Sequence, residues 1–188
     1  MSVLTDAVES IQTKEAELLK LLTDSVTPVL DVIAKMGTVG VIYVYGYTPG
    51  FNDGEPCEHT TNHLLGLQEV GDEERMEYFL SVVGKAAEDS DALSELESLE
   101  YKSKWKGDPQ EEIDQYYADK ARLYNAFASE LGVPTTTVTG DDARAVNKAV
   151  STVIIPALDR EFGTNYQVAY LFKDGQVVRV DDEYDCGY

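Results

Sequence analysis

The stretch Val39-Gly40-Val41-Ile42-Tyr43-Val44-Tyr45-Gly46-Tyr47 decides the fold of this chain. It is rich in β-branched and aromatic residues and is too short for a typical helix, so it predicts a β-strand over residues 39–47. Successive side chains of a strand point to opposite faces. Ile42 and Val44 should therefore enter the core, while the three tyrosines line the other face.

A second β signal lies near the end of the chain. Residues 166–172 and 176–180 flank Lys173-Asp174-Gly175, and an Asp-Gly pair between alternating segments is typical of a β-hairpin. We therefore predict an α+β fold, in which strand 39–47 and the C-terminal hairpin 166–181 form a small, mainly antiparallel sheet packed with several helices.

Apolar residues at three- and four-residue spacing predict the helices. The first should run from Leu4 to near Asp24, and Thr27-Pro28 should begin a second, short one that ends at Met36. A loop over 48–56 and a short strand over 57–61 should follow strand 39–47. The remaining helices are expected over 73–85, 92–101 and 109–131, and from Thr139 or Asp141 through Ala157 or beyond, although Pro156 should kink or end this last helix near Ile155.

Length and charge limit the number of domains and the kinds of partner that we expect. The chain has 188 residues, a net charge of −20 and a pI near 4.2, which predicts one domain over 1–188 that binds neither nucleic acid nor an anionic membrane directly. The acidic segment 71–107 is interpreted as a helical insertion. Few cysteines, no signal-peptide pattern and no apolar run long enough to span a bilayer favour the cytoplasm.

Cysteine and histidine cluster at one place in the chain. Cys57, His59 and His63 lie within seven positions, and Cys186 could supply a fourth ligand if the last strand lies beside them. These residue types bind Zn²⁺, but the spacing matches no established zinc motif. A metal-binding module or metal-dependent enzyme is therefore an alternative; otherwise we expect no cofactor and assign no catalytic residue.

The segment Tyr47-Thr48-Pro49-Gly50-Phe51-Asn52-Asp53-Gly54-Glu55-Pro56-Cys57 resembles a Tyr-Thr-Pro-x-Phe-Asn-Asp-Gly-x-Pro-Cys motif of small uncharacterised bacteriophage and bacterial proteins. Proteins with this motif typically carry an N-terminal helix, a strand and then this loop. The resemblance implies a viral or mobile-element origin, and it carries no activity with it.

Acidity and tyrosine content point to a binding function. Residues 69–119 hold sixteen Asp and Glu against five Lys and Arg, a net charge of −11, and the chain has twelve tyrosines, which offer large amphipathic contact area. The main interpretation is a non-enzymatic protein that binds and modulates a host protein with a basic surface, in its sharpest form as a DNA mimic. A virion assembly component is the other alternative, and it predicts a self-complementary apolar patch and a stable oligomer. The candidate partner-binding residues are Tyr47, Phe51, Asp53, Glu55, Glu95, Glu97 and Glu100.

Overall fold

One antiparallel sheet organises the computed structural model, which describes residues 3–50, 57–67, 73–87, 89–99, 109–135 and 138–184. Its strand order is β2-β1-β3-β4. The strands are β1 Val41–Tyr47, β2 Thr60–Leu65, β3 Tyr166–Lys173 and β4 Gln176–Glu183. β1 pairs with both β2 and β3, and β3 pairs with β4. The predicted α+β class and the pairing of the first strand with the C-terminal hairpin are confirmed.

The hairpin turn follows from its two central residues. Asp174 and Gly175 both have positive φ, 50° and 73°. A two-residue turn with positive φ at both positions matches the right-handed twist of the flanking strands, and Asp-Gly adopts it at little cost. The β3–β4 register, with Lys173 opposite Gln176, follows directly from this turn.

Helices pack on both faces of the sheet. They are α1 Val3–Met36, α2 Glu73–Gly84, α3 Asp91–Glu97, α4 Gln110–Leu131, α5 Gly140–Ala149, a π-helical turn Val150–Ile154 and α6 Ile155–Phe162. Ile42 and Val44 pack in one core cluster with residues of α1, α5, the π-helical turn and α6. Tyr43 and Tyr45 pack in a second cluster with residues of α2, α3 and α4. The alternation of β1 is thus as predicted, and the tyrosine face is itself a core.

The helices of the acidic segment contribute to that second core. Phe79 and Val82 of α2 and Leu96 of α3 are fully buried beside Tyr43. The Tyr43 hydroxyl donates to Gln167 Oε1 at 2.8 Å, and Gln167 Nε2 donates to the Glu183 carbonyl at 3.1 Å. The buried amide is therefore satisfied on both sides, as a polar group inside a core must be.

Two predictions about the first helix and the short strand are corrected. The break between Asp24 and Thr27 is wrong, because α1 runs through Pro28 without interruption. Pro28 and Asp24 are both exposed, so the carbonyl that loses its helical partner to the proline can be hydrated. The short strand expected over 57–61 begins at Thr60 and extends to Leu65, where it pairs with β1.

The end of one other helix also differs from expectation, since the helix expected over 92–101 ends at Glu97. The irregularity expected near Ile155 is present as the π-helical turn Val150–Ile154, after which the helix continues beyond Ala157 as α6. Pro156 lies in the first turn of α6, where a missing N–H costs little. None of the described helices combines the length and the apolar composition needed to cross a membrane.

Candidate functional site

The outer surface of α3 and α4 is strongly acidic. Residues 89–99 and 109–131 carry nine Asp and Glu against two Lys and Arg. Glu95 and Glu97 are exposed on α3, whereas Glu100 lies outside the described residues. We call this surface the acidic face; its carboxylates are Asp89, Asp91, Glu95, Glu97, Glu111, Glu112, Asp114, Asp119 and Glu130.

The two cations of the acidic face are already engaged within the chain. Arg122 lies 3.8 Å from Glu95 and 3.6 Å from Asp119. The Lys120 ammonium lies 5.8 Å and 6.0 Å from the ring centroids of Tyr116 and Tyr124, where it makes cation–π contacts. The field outside α4 is therefore dominated by carboxylates.

A serine cap fixes the two acidic helices relative to each other. Ser90 is buried and caps α3, accepting from the Leu93 N–H at 2.9 Å. Its hydroxyl donates to Glu130, near the end of α4. Because one side chain both begins α3 and contacts α4, the carboxylates of the two helices are held in one arrangement.

An exposed aromatic side chain lies on α4, one turn after Asp114. Tyr117 of α4 is 51% exposed and makes an edge-to-face contact with the buried Tyr116, with ring centroids 5.3 Å apart. Tyrosine is enriched among the residues that contribute most to protein–protein binding. Spacing alone did not single out Tyr117, since Tyr116 and Tyr117 are adjacent and only the packing of α4 decides which one faces solvent.

The loop proposed as a second binding segment is described only at its ends. Tyr47 is half-buried, and its ring centroid lies 5.5 Å from that of Tyr184. Phe51, Asp53 and Glu55 lie outside the described residues. Tyr47 thus packs against the residue after β4 and extends the aromatic row of the sheet.

The cysteine and histidine cluster is divided between different contacts. Cys57 is an exposed free thiol, His63 Nε2 lies 2.6 Å from Asn147 Oδ1 of α5, and Cys186 lies outside the described residues. Within the described ranges no group of three or more His, Cys, Asp and Glu side chains is placed to hold a metal ion.

His59 belongs instead to a polar network at the end of the sheet. His59 Nε2 lies 3.0 Å from Asp159 Oδ1, and His59 Nδ1 lies 3.1 Å from Thr48 Oγ1. A carboxylate only accepts, so Nε2 carries the hydrogen of its contact with Asp159; in the neutral ring Nδ1 then accepts from the Thr48 hydroxyl. Asp159 Oδ1 also accepts from Thr61 at 3.3 Å and from the Tyr166 hydroxyl at 2.6 Å.

The network depends on a close approach between Tyr166 and Gly46. A Cβ at Gly46 would lie 2.7 Å from the Tyr166 ring, so only glycine lets the ring cross β1 and reach Asp159. Burial, together with the hydrogen bond to Asp159, raises the pKa of Tyr166. Sequence reasoning missed Asp159 and Tyr166, because about a hundred residues separate each of them from His59 and no local pattern joins them.

The network joins the end of β1, the start of β2, β3 and α6 at one end of the sheet. Thr48, His59 and Asp159 place a hydroxyl, an imidazole and a carboxylate in the order found in nucleophilic enzymes. Thr48 Oγ1 also accepts a hydrogen bond from Thr164 Oγ1 at 2.9 Å, so this hydroxyl has a second partner within the chain.

No protein-family model matches the chain, and neither a curated protein nor a solved structure matches it.

Proposed function

We propose that this protein is a non-enzymatic binding protein whose acidic face docks onto a basic surface of another protein. The observation that carries the proposal is the excess of exposed carboxylates on α3 and α4, whose only two cations already have partners inside the chain. Surfaces of one sign steer a complementary partner into encounter and suppress the wrong partners.

Tyr117 adds a contact that prolongs the lifetime of the complex, which exposed charges affect little. Exposed carboxylates contribute mainly to the rate of association, because they attract the partner before contact, whereas the cost of removing their water on contact offsets much of the Coulombic gain. An aromatic ring that becomes buried in the complex slows dissociation. The outer side of α4 therefore combines long-range attraction by its carboxylates with one large exposed side chain, next to Asp114, for short-range contact.

The class of partner follows from the shape of the acidic face. α4 has 22 residues and is about 33 Å long, which matches about one turn of a DNA duplex. We infer that the partner is a host protein with a basic groove for nucleic acid, which this chain occupies as a DNA mimic. The resemblance of residues 47–57 to bacteriophage and bacterial proteins favours a bacterial cytoplasm as the place of action.

The test begins with paired variants of equal charge change. One variant neutralises the acidic face with Glu95→Gln, Glu97→Gln and Asp114→Asn. Its control neutralises three exposed carboxylates elsewhere, with Asp141→Asn, Asp142→Asn and Asp174→Asn. Proteins captured from a bacterial lysate on the wild-type chain are identified by mass spectrometry, and association rates are then measured with the purified partner.

Only the acidic-face variant should bind more slowly. We expect its association rate at low salt to fall about tenfold and its salt dependence to weaken, while the control retains the wild-type rate. Equal rates for the two variants would overturn docking through the acidic face. A double-stranded DNA fragment should compete for the partner; failure to compete would overturn the DNA mimicry and leave the acidic docking in place.

A further inference from the structure

Most of α1 lies outside the core. The helix has 34 residues and is about 50 Å long, but its buried residues are confined to Leu30, Ile33 and Ala34 among the side chains that the structure describes. From Val8 to Asp24 every described side chain is exposed except Leu22, which is half-buried. We call residues 8–24 the arm.

The arm carries an exposed apolar stripe. Val8, Ile11 and Leu18 are 45%, 57% and 48% exposed, and they lie within about 80° of one another around the helix axis. Leu21, which is 64% exposed, lies beside this group. Most helical stability in proteins comes from the packing of an apolar face, and exposed apolar side chains grouped on one side of a helix indicate an interaction surface. The stripe is therefore a candidate contact surface for a partner.

An apolar groove lies beside the last turns of α1, C-terminal to the arm. It has a volume of about 350 Å³ and lies between the last turns of α1 and α5. Val29, Val32 and Met36 form one wall, and Ala145 and Ala149 form the other, so that every lining residue is apolar. Val32 is 63% exposed in this groove. The two alanines leave space for another helix to approach closely.

The stripe and the groove belong to one seam. Ile11, Leu18, Ser25 and Val32 recur at seven-residue spacing, and so do Val8, Glu15, Leu22, Val29 and Met36. The two series alternate in steps of three and four, which is the pattern of a coiled-coil seam. Seven residues are nearly two full turns, so the seam continues from the arm into the groove on one side of α1.

We propose that α1 pairs with α1 of a second copy in an antiparallel coiled coil, in which each arm lies in the groove of the other copy. The two-fold arrangement places Val8 opposite Val32 of the partner subunit, Ile11 opposite Val29 of the partner subunit, and Leu18 opposite Leu22 of the partner subunit. The two polar residues of the seam then meet each other, Glu15 opposite Ser25 of the partner subunit.

Other pairings of the same helix match less well. A shift by one heptad places Glu15 opposite Val32 of the partner subunit in one direction, or opposite Leu18 of the partner subunit in the other. A parallel pair places the two Glu15 carboxylates opposite each other and leaves both grooves uncovered. Because the antiparallel register pairs apolar with apolar, sets Glu15 opposite a neutral polar residue and fills both grooves, a second copy in this orientation is the occupant that the seam fits.

The dimer is tested first by mass and by variants. Sedimentation of the full chain should give twice 20.8 kDa. Ile11→Asp in the arm and Val32→Asp in the groove should each weaken dimerisation at least about hundredfold, because both bury a charge in the seam. Thr13→Asp adds the same charge on the opposite side of the arm and should leave the dimer intact. A monomeric wild-type chain, or equal dissociation constants for Ile11→Asp and Thr13→Asp, would overturn the proposal.

Cysteine cross-linking tests the orientation. In a background with Cys57→Ser and Cys186→Ser, a chain with Val8→Cys and Val32→Cys should oxidise to a covalent dimer. The two positions are about 36 Å apart in one helix, too far for a disulfide within one chain. Val8→Cys alone should not cross-link. A covalent dimer from the single-cysteine chain would show parallel pairing and overturn the antiparallel register.

Salt separates this inference from the proposed function. Two chains of net charge −20 repel each other, so the dimer should tighten as salt rises, whereas docking through the acidic face should slow. The two surfaces are different helices, so failure of either proposal leaves the other standing. A dimer that weakens with salt would show that charge, and not the apolar seam, holds it together.

Discussion

α1 and α4 are both long amphipathic helices, but the apolar stripe of α4 is buried within the chain and that of the arm is exposed. Along α4, Ile113, Leu123, Phe127 and Leu131 are all buried, and they pack with α3 and the tyrosine face of the sheet. Among the α1 side chains that the structure describes, burial is confined to the last turns, and Val8, Ile11, Leu18 and Leu21 are exposed. Periodicity indicates that a helix has an apolar face; it does not indicate whether the same chain covers that face.

The polar faces differ as well. α4 carries carboxylates whose neighbouring cations are engaged by Glu95, Asp119 and the rings of Tyr116 and Tyr124. We therefore propose its outer surface as the site for a cationic partner, and the exposed apolar side of α1 as the site for another helix. One chain thus presents two surfaces of opposite chemistry.

The largest difference between the two helices should appear on truncating one apolar side chain in each. Phe127→Ala should lower the free energy of unfolding by about 3–5 kcal/mol, because it leaves a cavity in the core. Leu21→Ala should change it by less than about 0.5 kcal/mol. Urea denaturation, at dilutions where sedimentation shows monomers, measures both values. A comparable loss for Leu21→Ala would show that the arm is covered within its own chain.

Proline substitutions extend the comparison from side chains to the backbone. Ala118 and Ala16 are both exposed, in α4 and in the arm. Ala118→Pro should destabilise the fold by about 3 kcal/mol, since it breaks a helix that packs on the sheet. Ala16→Pro should reduce helical circular dichroism while leaving the urea midpoint of the monomer nearly unchanged. Equal shifts of the midpoint would contradict the independence of the arm.

Alkaline pH should destabilise the sheet and the helices packed on it, and should not affect the arm of α1. Burial raises the pKa of Tyr170 to about 12 and also raises that of Tyr124, whereas tyrosine in the unfolded chain titrates near 10. Above pH 10 the folded state holds more protons than the unfolded one, so stability should fall between about pH 10 and about pH 12. α1 contains no tyrosine.

The control for this pH dependence is a matched pair of substitutions. Tyr170→Phe should flatten the loss of stability above pH 10 measured by urea denaturation, because it removes one buried phenol. Tyr117→Phe, at an exposed position, should leave the loss unchanged. If both substitutions flatten it equally, buried phenols are not its cause.

The smallest effect should come from the exposed ion pairs of α4. Arg122 and Glu95 are both largely exposed and lie 3.8 Å apart, so Arg122→Gln should change the free energy of unfolding by less than about 0.5 kcal/mol. The same substitution makes the acidic face more negative and should speed association with a basic partner. A loss of stability as large as that of Phe127→Ala would show that this pair helps to hold α3 on α4.

The strands were predictable because their signals are local. The alternation of Val41 to Tyr47 and the Asp174-Gly175 turn each depend on neighbouring residues, and both are confirmed. The break expected at Thr27-Pro28 was wrong for the opposite reason. An exposed proline leaves its unpaired carbonyl to water, and burial of Leu30 and Ile33 holds the last turns of α1, which no window around the proline can show.

The sequence by itself determined the class of the fold, the two faces of β1, the hairpin register and the acidity of α3 and α4. These follow from backbone geometry and from charge, which act over a few residues. Only the tertiary structure decided that the tyrosine face is a core, that His59 meets Asp159 and Tyr166, and that the arm of α1 stays uncovered. Those outcomes depend on contacts between residues about a hundred positions apart in the sequence. Such packing depends on the whole molecule, whereas periodicity is a local property of the sequence.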